Sequence, residues 1–123
     1  MTGSETRLLV AVINDPEKLD EILSGFLELG VTGATILNSE GMGRVLSHDI
    51  PIFAGLQTLL SGSRPQNRMI FSVVPQHLVD PSLELLQEVC GNLASPATGI
   101  AFVLPVDRVV GLAPELGDEG NPI

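Results

Sequence analysis

At 123 residues, with fifteen acidic against six basic side chains and a net charge of −9, the chain has room for one domain that buries roughly two-thirds of the surface its unfolded form exposes. That charge repels phosphate backbones and anionic membranes, and four Phe with no Trp or Tyr leave no array of rings for nucleobases to stack on, so nucleic acid is not an expected partner. No apolar run is long enough to cross a bilayer, and residues 1–6 lack the charged-then-apolar order of a secretory signal; the expected address is the cytoplasm.

The first element is the unbroken apolar run 8–13, which lacks alternation and therefore reads as a strand central in its sheet. Asp15 then offers a helix N-cap and Pro16 a first-turn residue, and Leu19, Ile22, Leu23, Phe26 and Leu27 follow at helical spacing until Gly30 closes the helix. Glu17, Asp20, Glu21 and Glu28 form its solvated face. Residues 31–37 are rich in β-branched side chains and predict a second strand; residues 69–74 predict a third, with Arg68 at its entrance. The connection between them, 41–67, is far longer than a hairpin needs, and connections of that length in small domains are functional or disordered. Within it Ile52, Phe53, Leu56, Leu59 and Leu60 recur at helical spacing after Pro51, which predicts a short helix packed over a cleft or a neighbouring subunit, the alternative being a lid or an apolar docking surface for a partner helix.

Asp80 and Pro81 announce a second helix with Leu83, Leu86, Cys90 and Leu93 on one face, limited by Gly91 and Pro96. A single cysteine can form no internal disulfide, and its place in that apolar pattern makes Cys90 a core residue, with a redox role as the minor alternative. Residues 100–104 make a final strand that Pro105 ends or leaves at an edge. The order strand, helix, strand, strand, helix, strand predicts an α+β, ferredoxin-like βαββαβ domain over residues 1–112, with a four-stranded antiparallel sheet and two helices on one face. Residues 113–123, acidic and rich in Gly and Pro, read as a poorly ordered tail. The second face of such an apolar sheet is bare, and a symmetric oligomer is the usual way to cover it.

Two stretches carry a resemblance. The first reads Gly30-Val31-Thr32-Gly33-Ala34-Thr35, then Glu40-Gly41-Met42-Gly43-Arg44, with His48 following; the second reads Phe102-Val103-Leu104-Pro105-Val106-Asp107-Arg108-Val109. Both resemble the nitrogen regulatory protein P-II (PII) signal-transduction family, with its G-V-x-G-x-T strand leading to G-x-G-R and its F-V-x-P-V-x-x-V strand. The likeness spans about residues 7–112, and the chain reads as a divergent, PII-like member. It implies a homotrimer whose sheets line a common centre, an adenine nucleotide (AMP, ADP or ATP) in each cleft between subunits, and a long loop, the T-loop, that acts on a membrane transporter, enzyme or regulator. Here 41–67 takes the place of that loop, and Thr35, Gly41, Met42, Gly43 and Arg44 fall at the nucleotide cleft. Apart from the family, Gly41 to Arg44 is a turn with exposed N–H groups and one guanidinium, which suits a small anion, and Arg64 and Arg68 at the far end of the connection could close on the same anion.

The chain also departs from the family pattern. The loop after the second helix, 92–99, has no basic residue where relatives carry a Gly-rich stretch with Lys, and Gly111 and Ala113 stand where they usually have two Arg. The long loop has no Tyr for uridylylation. Two His and one Cys are too few for a transition-metal site within one subunit, and no Ser or Cys stands with His and acid at a recognised catalytic spacing. The sequence thus reads as a regulator and not an enzyme, sensing a small anionic or adenine-nucleotide ligand. The alternatives are an interaction module on the same scaffold that has lost nucleotide binding, and a metal-binding trimer similar to the CutA proteins.

Overall fold

A computed structural model describes residues 5–42, 45–46, 67–91 and 99–112. Among these residues the main elements run in the order β1 (Thr6–Ile13), α1 (Leu19–Leu29), β2 (Thr35–Ser39), β3 (Asn67–Pro75), α2 (Val79–Cys90) and β4 (Gly99–Pro105). The strands form one antiparallel sheet, β2-β3-β1-β4, with β1 in the interior as its apolar run predicts. The fold is the ferredoxin-like α+β arrangement. The predicted helix over 51–60, the bulk of the 41–67 connection and the 113–123 tail lie outside the described residues.

Asp15 does cap, but through a 3-10 turn: its Oδ1 accepts the Glu17 N–H at 3.0 Å, and Pro16–Lys18 lead into α1. Pro16 sits where a missing N–H costs nothing. At the other end Gly30 adopts φ 106°, and the Gly30 and Val31 N–H groups close on the Leu27 and Phe26 carbonyls at 3.1 and 2.9 Å. A β-carbon at this φ would be strained, which is why glycine ends the helix. The second helix starts one residue before Asp80, after a 3-10 turn over Gln76–Leu78, so Pro81 lies inside the first turn instead of opening it. The two helices cross closely at Gly25, where an added β-carbon would stand 2.6 Å from a Leu85 methyl.

Alternation sorts the strands into two faces. Leu9, Ala11 and Ile13 of β1 with Ile70 and Val74 of β3 meet Ile22 and Phe26 of α1 and Leu86 and Val89 of α2, and these side chains form the core. Cys90 packs half-buried at its margin, where burial pushes the thiol up in pKa against the pull of the nearby Lys18 ammonium. A raised thiol is a poor nucleophile at neutral pH. The opposite face carries Leu37, Ile100, Phe102 and Leu104 at 44, 57, 45 and 41% exposure, with Leu8, Val10 and Phe71 in the same rows. The bare apolar face expected from the element order is present.

The second strand is shifted from its predicted place: residues 31–34 are irregular, and pairing with β3 begins only at Thr35 opposite Phe71. Val31 has β character, but its N–H is held by the end of α1 and its side chain is buried in the core, 6% exposed. Tertiary anchoring overrides strand propensity there. Arg68 lies within β3, not ahead of it.

Candidate functional site

Thr35 opens β2 beside Phe71, and the two share the bare face of the sheet. They line a groove of about 320 Å³ whose walls are the 32–35 rim, Leu8, residues 71–73 of β3 and residues 109–112 beyond β4. Every described side chain in the lining is uncharged. Such a surface suits a flat or apolar group bearing a few hydrogen-bonding atoms, for which the Thr35 hydroxyl is one partner within the lining. A charged substituent would lose hydration there without compensation, so it must lie beyond the groove. Phe71, Leu8 and the 109–112 wall were not singled out in the sequence. Phe71 could have been found from the strand pairing; the 109–112 wall had only Val109 and Gly111 to signal it.

Of the other predicted residues, Gly41, Met42 and Arg68 lie at the end of the sheet where β2 leaves and β3 enters. Gly41 follows β2, and its carbonyl accepts the Val45 N–H at 3.2 Å, the i to i+4 bond of a helical turn. Met42 stands on that turn at 77% exposure. Gly43, Arg44 and Arg64 lie outside the described residues. Arg68 pairs across from Ile13 and Asn38, which places it on the helix-bearing side of the sheet, and its Nη1 donates to the Asn67 carbonyl at 3.3 Å. Thr35 and Arg68 are therefore on opposite faces, and the structure does not bring them together.

Among the described residues the cations are Arg7, Lys18, Arg68 and Arg108, and none lines the groove. Arg7 donates to the Thr6 carbonyl and to Gln76 Oε1, both at 2.9 Å, at the opposite end of the sheet from Gly41. Among the described residues, no three His, Cys, Asp or Glu side chains gather as metal ligands, and no described helix is long and apolar enough to cross a membrane.

One hydrogen bond shapes the groove from beneath. Ser72, on the core side of β3, donates its hydroxyl to the Gly33 carbonyl at 2.6 Å. That bond fastens the 32–35 rim to β3 just before strand pairing begins.

Comparison with known proteins adds three findings. Residues 7–115 match the family model described as nitrogen regulatory protein P-II. The chain is 28% identical over 112 residues to the nitrogen regulatory protein P-II of Azospirillum brasilense, covering 91% of this chain and 95% of that one. Its fold is similar to the crystal structure of Arabidopsis thaliana PII bound to citrate, with TM-score 0.63 at 20% identity, over 87% of this chain and 82% of the plant chain.

Proposed function

Since this chain belongs to the nitrogen regulatory protein P-II family, whose model matches nearly its whole length, we propose that it is a cytoplasmic homotrimeric regulator. In this reading it senses an adenine nucleotide or small anion in clefts between subunits and acts through its 41–67 segment on a partner transporter or enzyme. The observation that carries the reading is the position of the groove: Thr35, Phe71 and Leu8 line it and belong to the bare apolar face. Covering that face with sister copies turns an open groove into a closed cleft. The uncharged lining takes the flat part of a ligand, and Arg44, beyond the Gly41 turn, supplies positive charge for its anionic part. The citrate held by the plant relative keeps simple carboxylates within the range of ligands.

The test is ligand-linked stability. AMP or ADP at a hundred times its dissociation constant should stabilise the native state by about 2.7 kcal/mol, read as a rise in melting temperature. A panel of adenine nucleotides, citrate and phosphate that moves the melting temperature nowhere would overturn the sensor reading. The described lining of the groove holds no cation, and this favours a second reading, a scaffold that has given up nucleotide and kept its partner. An Arg44→Ala protein that binds its partner as the wild type does, with or without nucleotide, would select that one.

A further inference from the structure

We infer that Ser72 is a positioning residue for the groove, holding the 32–35 rim in its binding shape from the buried side of the sheet. The inner row of β3 reads Ile70, Ser72, Val74, at 1, 3 and 0% exposure. A hydroxyl in such a row is costly unless it is bonded, and this one has a single described purpose, the 2.6 Å bond to Gly33. The Gly33 carbonyl lies outside the β2–β3 ladder, which starts at Thr35. The Ser72 hydroxyl thus stands in for the strand bond that the rim lacks. With Val31 held by the end of α1, the bonds at Val31 and Gly33 both fix the rim, and residues 32–35 border the groove.

Gly33 fits this role. It is not among the glycines with positive φ, and an added β-carbon would meet nothing within 4 Å. Neither backbone nor neighbours demand glycine, and the space it leaves borders the groove. A rim of small residues whose carbonyl is tied inward presents its other side for close approach of a ligand. Ser82 offers the contrast: it is equally buried, on α2, and its hydroxyl has no partner among the described residues. It is the natural control.

This role rests on the groove being the ligand site. The experiment compares wild type, Ser72→Ala, Ser72→Cys and Ser82→Ala by amide hydrogen exchange without ligand and by titration with AMP and ADP. Ser72→Cys leaves no void, its sulfur being somewhat larger than the oxygen, and offers only a weak donor, so it covers the case in which Ser72→Ala folds poorly. Both Ser72 variants should exchange faster at residues 33–35 with β1 unchanged, and should bind nucleotide roughly tenfold more weakly, the usual scale for one lost buried hydrogen bond. Ser82→Ala should match the wild type in both. A wild type that binds while the Ser72 variants bind equally overturns the positioning role alone. A wild type that binds neither nucleotide overturns the groove reading, and the positioning role with it.

Discussion

A Phe102→Asp protein is expected to run as a folded monomer, and the wild type as a trimer, by native mass spectrometry or sedimentation. Phe102 stands on β4 opposite Val10, in the middle of the bare face, with 45% of its surface exposed in a single copy. Association would bury it with Ile100 and Leu104, each removing apolar area from water at about 25 cal/mol per Å². A carboxylate at its place would be desolvated against an apolar face whose described strand residues include no cation, which costs several kcal/mol per copy. Nothing in the monomer's core is touched, because that side chain points away from the helices, so circular dichroism should be unchanged. Each copy carries −9, so assembly would proceed against long-range repulsion, and added salt should tighten the proposed trimer by screening it. The monomeric variant should also lose the nucleotide-dependent melting shift. Persistence of the trimer in the variant, or a monomeric wild type, would remove the basis for a cleft between subunits.

The second large effect is on stability. Phe26→Ala should cost about 3–5 kcal/mol, a large part of the roughly 5–15 kcal/mol that holds a domain together. Phe26 is 2% exposed and sits among Ile22, Leu86 and Val89 in the core, where its removal opens a cavity that neighbours in two helices and a sheet cannot fill. The same residue's carbonyl receives the Val31 N–H, so loosening the last turn of α1 also loosens the rim of the groove. Chemical denaturation at one fixed protein concentration should show a lower midpoint, with faster exchange at 31–34 before global unfolding. A midpoint within about 1 kcal/mol of wild type, the median cost of a point change, would mean that the core is not organised around this ring.

Much of this architecture was legible in the residues. The unbroken run 8–13 belongs in the interior of a sheet because no strand at an edge needs such uniform apolar character, and Asp15, Pro16 and Gly30 bracket α1 through capping chemistry alone. The start of β2 was not legible, since Val31 and Thr32 look like strand residues, and only the contact of Val31 with the end of α1 decides otherwise. That Arg68 and Thr35 take opposite faces of the sheet was not legible for a related reason: which face a strand residue takes depends on register with β1 and β2, which sequence does not state. The groove was half visible. Thr35 carried a motif, whereas Phe71 acquires its place only by pairing with Thr35, and Ser72 looks like an ordinary hydroxyl until the Gly33 carbonyl is found beside it.

The two ends of the folded unit meet. The Thr6 carbonyl accepts the Val106 N–H at 3.3 Å, and the Thr6 hydroxyl donates back to the Val106 carbonyl at 3.4 Å. At the other pole Ser39 pairs with Asn67, and Ile13 with Gly99, so the chain departs for 43–66 and returns from 92–98 on that side. A fluorescent tag or tether joined at either terminal strand therefore emerges a full strand length away from the pole that carries Gly41 and Met42, and leaves it clear for an incoming protein.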